Sequence, residues 1–201
     1  LSSSSAASDV YKRQILSIGR LTYKKGYETC FKVMKELEKK GIDFEYTIIG
    51  EGPLENNLFN LREMLNLENH IKFLGSINRD EIVSYIEECN VFLIHSVTAP
   101  DGDLEGTPTV ILEAGLLKKP VVSTYHAGIP EIIENGISGF LCKENDIINT
   151  RDSIIQLIEN PSLQASFGDE LFKNIKKKYG QKINSKRFLD FYYYLLKKKN
   201  D

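Results

Sequence analysis

The stretch Glu105-Gly106-Thr107-Pro108-Thr109-Val110-Ile111-Leu112-Glu113 turns an irregular, acidic loop into an apolar helix. Pro108 suits the first helical position, where its missing N–H costs nothing, and Thr107 is placed to cap the N-terminus. Glu105 then lies on the loop, and Glu113 about a turn and a half inside the helix. The free N–H groups of Thr109 and Val110 point between the two acids, at the positive end of the helix dipole. Such a spot takes an anion, and the flanking carboxylates accept paired hydrogen bonds from sugar hydroxyls. A nucleoside diphosphate sugar, with phosphate in the middle and hydroxyl-rich groups at both ends, has the matching build.

Residues 91–95, just upstream, form a near-continuous apolar run of the kind buried on both faces of a sheet, and 97–104 is a loop rich in Pro, Gly and Asp. Further out, short apolar runs at 15–18, 44–49, 71–74, 120–124 and 139–142 read as strands. Between and after them, residues 26–40, 54–65, 80–88, 109–117, 149–160, 162–178 and 181–198 read as helices, with a brief turn or helix at 128–131. Alternation of this kind implies parallel strands joined by right-handed crossovers, so an α/β fold with a doubly wound, Rossmann-like sheet is expected. Three loops rich in Gly and charge, 19–26, 50–53 and 99–108, fall at C-terminal strand ends, where such sheets bind ligands. The first carries Arg20 and Lys25, fixed cations able to stabilise the charge that develops on a departing diphosphate without a metal. In the second, Gly50 and Gly52 permit positive φ and close approach of a nucleotide.

These segments together resemble the retaining GT-B glycosyltransferases, family 4 of group 1, whose E-x7-E motif matches Glu105 and Glu113. Residues 120–131 resemble the family's Pro-containing strand and the Gly-Gly-Ile-Pro-Glu turn after it, with Ala127 in place of the first Gly. The resemblance implies one half of a GT-B fold, with residues 15–180 as a nucleotide-sugar-binding domain. It further implies that Arg20 and Lys25 bind the donor diphosphate, Glu113 the ribose hydroxyls and Glu105 the transferred sugar. Gly19, Gly50, Gly52, Gly106, Thr107, Pro108, Thr109 and Val110 would line the nucleotide. Substitution at the front face with retention is the mechanism inherited with the family. A nucleophilic role for Glu105 ranks lower, because a carboxylate held by sugar hydroxyls is poorly placed to attack the anomeric carbon. The loop 96–108 most resembles the exopolysaccharide, colanic acid-type branch, whose acceptors are saccharides or lipid-linked saccharides.

The chain is expected to be a fragment. Residues 1–14 read as a non-native or disordered Ser/Ala-rich stretch, and an N-terminal, acceptor-binding domain is expected beyond it. Residues 181–201 read as a C-terminal helix and basic tail. From Phe172 onward ten Lys and Arg face two acids, a balance of +8 that leaves −10 for the rest of the chain. That tail is expected either to pack on the missing domain or to touch an anionic membrane surface peripherally. Cys30, Cys89 and Cys142 are odd in number and set in apolar patterns, which points to core thiols in a reducing, cytoplasmic compartment. No apolar run approaches the ~18 residues of a membrane span. Asp101 and Asp103 lack a third acid or His to complete a cation cage, so neither metal nor cofactor is expected, and no nucleic-acid partner. His126 could reach the ligand, though a lone His beside a turn is more often structural, and His95, at a strand end, reads as a core or rim residue. The rival readings are a nucleotide-sugar epimerase on the same scaffold and a non-enzymatic nucleotide-binding module. The second is disfavoured because no G-x-G-x-x-G follows the first strand.

Overall fold

A computed structural model describes residues 12–180. Six strands, β1 (Arg13–Ile18), β2 (Phe44–Ile49), β3 (Ile71–Phe73), β4 (Val91–Leu93), β5 (Val121–Thr124) and β6 (Phe140–Cys142), form one sheet in the order β3-β2-β1-β4-β5-β6. Every neighbouring pair is parallel. This is the doubly wound arrangement expected from the alternation, and its strand order reverses between β1 and β4. Loops leaving those two strands therefore open a crevice at the C-terminal edge.

Among the described residues seven α-helices cover the sheet: α1 (Tyr27–Lys39), α2 (Glu55–Met64), α3 (Arg79–Glu88), α4 (Thr109–Leu116), α5 (Ile129–Ile132), α6 (Ile147–Glu159) and α7 (Pro161–Tyr179). Alternate residues of the central strands feed two separate cores, as the period of two requires. Ile15, Val91 and Leu93 pack in one layer with Phe31 of α1 and Ile154 of α6. Leu16, Phe92 and Ile94 pack in the other with Ile111 of α4 and Leu171 of α7. β4 thus has both faces buried, which is why its sequence shows no polar alternation. Local signals set the helix starts. Asn78 and Glu81 close a capping box on α3, while Asp146 and Asn160 cap α6 and α7.

β1 begins at Arg13, two residues before the expected start, because Arg13 and Gln14 pair with Phe44 and Glu45. The helix expected at 181–198 and most of the basic tail lie outside the described residues, as do residues 1–11. Burial accounts for the cysteines: all three thiols are free and buried, and loss of solvent pushes Cys30 and Cys89 up to about 12. Among the described residues no helix is long and apolar enough to cross a membrane.

The β1 and β4 loops touch at Gly26, which caps the short 3-10 turn Tyr23–Lys25 in a left-handed conformation, φ +62°. A Cβ there would stand 2.0 Å from the carbonyl oxygen of His95, whereas at Gly41, φ +73°, it would meet nothing within 4 Å. Both substitutions to alanine carry the left-handed penalty of about 1–2 kcal/mol, and Gly26→Ala adds a backbone clash of about 1–3 kcal/mol. Urea unfolding should therefore give a clearly lower midpoint for Gly26→Ala than for Gly41→Ala; equal midpoints would mean that the loop contact is soft.

Candidate functional site

The chain leaves β1 at Gly19 and reaches α1 through a loop that β4 holds from the other side, Val97 N–H donating to the Lys24 carbonyl at 3.0 Å. Across this seam Lys25 Nζ lies 2.6 Å from Glu105 Oε2, with side chains 12% and 15% exposed. That oxygen makes no aligned hydrogen bond, so the lysine charge is its compensation among the described residues. Lys24 and Asp103 form a second, more exposed pair at 3.0 Å across the same seam. Tyr27, buried and with its pKa pushed far up by desolvation, stays protonated and donates to the Gly19 carbonyl at 2.9 Å. Lys25 and Glu105 are thus direct neighbours across the seam.

Beyond the ends of β1 and β2 lies a cleft of about 700 Å³, floored by Ile18, Ile49, Ile77 and Ile82 and edged by Gly19, Arg20, Gly50 and Gly52. Arg20 is exposed, and its side chain makes no hydrogen bond or ion pair with a described residue. The two glycines serve a purpose that sequence reasoning did not find. A Cβ on Gly50 would sit 2.2 Å from the Gly19 carbonyl oxygen, and one on Gly52 2.6 Å from Leu21 N. Their first duty is to let the β1 and β2 loops pack backbone to backbone, Leu21 N–H donating to Glu51 O at 3.0 Å.

The start of α4 differs from expectation. Pro108 is the N-cap residue rather than the first helical one, and Thr107 provides no side-chain cap. The physical reason is the β5 turn: Thr107 Oγ1 leans over Gly128, occupying space 2.5 Å from where a Cβ would be. With no cap, the N–H groups of Thr109 and Val110 donate to no described residue, so the helix end keeps its capacity for an anion. Gly106, Thr107 and Thr109 are exposed, Val110 and Glu113 half-buried and Pro108 buried. The Glu113 side chain has no described hydrogen-bond or ion-pair partner, and Glu113 does not line the cleft that holds Arg20. Asp101 takes a local role, accepting from Asp103 N–H at 3.0 Å, while the Asp103 carboxylate is spent on Lys24.

The sequence profile of the family described as glycosyl transferases group 1 matches residues 3–174. The chain belongs to that family. It is 44% identical over 133 residues to the amylovoran biosynthesis glycosyltransferase AmsK of Erwinia amylovora, a match covering 66% of this chain and 33% of AmsK. It is 41% identical to the putative colanic acid biosynthesis glycosyltransferase WcaL of Escherichia coli K12, with the same coverage. The chain thus spans about a third of the length of these relatives. A crystal structure of a variant of S. aureus TarM, in complex with fondaparinux, α-GlcNAc-glycerol and UDP, superposes with a TM-score of 0.78 at 24% identity, covering 89% of this chain and 35% of TarM. That likeness speaks for the fold.

This group 1 domain also carries a polar network with members that sequence reasoning passed over. His126, 3% exposed, accepts the Glu105 backbone N–H through Nε2 at 3.1 Å and meets Glu144 Oε1 through Nδ1 at 2.6 Å. Glu144 in turn accepts from Thr98 N–H at 2.9 Å. Burial raises the Glu144 pKa, but the His126 and Thr98 hydrogen bonds outweigh it and hold the carboxyl below its ordinary 4.5. Glu144 and Thr98 belong to no motif; the one sequence cue was their position just past the ends of β6 and β4.

His95, fully buried, accepts from Asn145 N–H at 3.0 Å, which puts it in the core, the first of its two expected places, rather than at the rim. Desolvation lowers its pKa from 6.5 to about 4, against smaller opposing pulls from Asp146 and Glu144. A base with a depressed folded pKa contributes stability that is complete above 6.5 and is lost as pH falls through 4, worth up to about 3 kcal/mol. Urea midpoints should therefore fall between pH 6.5 and 4.5 in the wild type and stay flatter in His95→Gln, which keeps an acceptor for Asn145. Parallel pH profiles would show that His95 does not control this window.

Proposed function

We propose that this domain is the donor-binding half of a retaining glycosyltransferase. In this reading it moves a sugar from a nucleoside diphosphate sugar, UDP- or GDP-linked, to a saccharide or lipid-linked acceptor in surface polysaccharide synthesis. The carrying observation is the meeting of the β1 and β4 loops at the sheet's switch point, with Lys25 on Glu105. A cation and a carboxylate held together there give one group for the diphosphate and one for the sugar attached to it. Lys25 has three N–H donors, so its contact with Glu105 leaves donors for phosphate oxygens. Arg20, its side chain unpartnered among the described residues at the edge of the apolar cleft, supplies a second cation, and the uncapped α4 N-terminus supplies oriented N–H groups.

The cleft itself suits a flat base, which would lie on the isoleucine floor while its polar edge meets the loop backbone. Glu113 would accept from the ribose hydroxyls and Glu105 from those of the sugar. As the glycosidic bond breaks, Arg20 and Lys25 would hold the charge growing on the diphosphate, more strongly than in the ground state. Retention would follow from attack on the face the diphosphate leaves, with its oxygen taking the acceptor proton. The relatives named for amylovoran and colanic acid biosynthesis support the polysaccharide setting, and UDP in the TarM complex supports the nucleotide.

Calorimetric titration of the chain with UDP and GDP tests this reading. One of them should bind in the micromolar to millimolar range, with Arg20→Ala and Glu113→Ala each weakening it by roughly tenfold. Added magnesium should leave the affinity unchanged. Binding that appears only with magnesium, or affinity for NAD in preference to both nucleotides, would contradict it.

A further inference from the structure

The backbone of residues 104–107 is held by surprisingly little. Upstream, the loop closes on itself through Ala99 N–H to Asp103 O and Gly102 N–H to Ala99 O. Downstream, α4 starts at Thr109. Between these, the Glu105 N–H is the one backbone group with a described hydrogen bond, and its acceptor is His126 Nε2. The Glu105 side chain is tethered separately, by Lys25 at 2.6 Å.

The partners of His126 decide its protonation. Nε2 faces a donor, the Glu105 N–H, and must carry a lone pair; the proton therefore sits on Nδ1 and is donated to Glu144 Oε1. Glu144 is in turn pinned by the N–H of Thr98 and by its hydroxyl at 3.3 Å. The ring is thus locked in one tautomer by residues that follow β4 and β6, while it sits after β5. Three strand ends are tied to the acid that the donor reading assigns to the sugar.

We infer that His126, oriented by Glu144, is a positioning residue that fixes the Glu105 carboxylate for the sugar part of the donor. The inference rests on the reading of Glu105 as the sugar contact. Losing the Nε2 acceptor frees the backbone at Glu105 and leaves the Lys25 contact as the one remaining tether, too little to hold the carboxylate in the orientation that meets the sugar hydroxyls. The nucleotide, held at Arg20 and Glu113, is affected less.

The readout is the ratio of affinities for a nucleotide sugar and its bare nucleotide, using UDP with UDP-glucose and UDP-galactose, and GDP with GDP-mannose. In His126→Leu the ratio should fall roughly tenfold. His126→Gln, which places an amide oxygen near the Nε2 position, should restore most of it, a rescue that a purely structural histidine would not single out. Glu144→Ala should lower the ratio as well, and an unchanged ratio there overturns its orienting role. Equal losses for sugar and nucleotide in His126→Leu, or no loss, overturn the inference. A wild-type chain that binds none of these sugars tighter than the nucleotide fails the donor reading instead, and hydrogen exchange at the Glu105 amide then decides: protection that survives in His126→Leu overturns the tether.

Discussion

Lys25 and Glu105 meet only because β1 and β4 lie side by side in a sheet whose order runs outward in both directions from them. Any other order would separate the loops that carry them. Strand placement is in turn set by burial: β1 and β4 have apolar residues on both faces, and only the middle of a sheet covered by helices on both sides satisfies them. The charge pair is therefore a consequence of the hydrophobic pattern. Removing two charges from water costs more than their attraction readily returns, so a largely buried pair at a strand end is weak as a source of stability. On the donor reading proposed above, its place follows instead from the ligand chemistry it would prepare.

Around that pair, packing does much of what a sequence reader credits to ligand contact. Gly50, Gly52 and Gly26 sit where a side chain would strike the backbone of Gly19, Leu21 or His95. They bring three loops close enough to share backbone hydrogen bonds, so the edge is built from backbone before any ligand is considered. Rigid loops hold the charged side chains without the entropy loss that ordering them on binding would bring.

The sheet was legible because its signals are local and repeated: β2 spans the expected residues 44–49, and the runs at β4 and β5 lost only flanking residues to the loops. Seams between loops were not legible. Pro108 and Thr107 carry all the local marks of a helix start, yet contact with Gly128, from a distant part of the chain, draws the Thr107 hydroxyl away from the helix. Likewise His126 reads as a lone histidine beside a turn until β6 delivers Glu144 to it. Such pairings depend on which strand ends are neighbours, and spacing along the chain does not encode that directly. Lys25 with Glu105 could be anticipated because both lie on loops that any doubly wound sheet brings to its switch point.

The turn after β5 shows how a departure from the family pattern and a gain in order can coincide. Ala127 stands where the pattern has glycine and adopts φ +43°, a conformation costing an L-residue about 1–2 kcal/mol. Its side chain is exposed, so no packing repays that cost at the residue itself. Its neighbours do: His126 is anchored through both ring nitrogens, and Ile129 N–H donates to the His126 carbonyl at 3.0 Å. Glycine there would relieve the strain but leave the turn more states to explore in the unfolded chain. An alanine forced into the left-handed region by an anchored histidine gives a turn with fewer alternatives, and it is this turn that carries the ring holding Glu105.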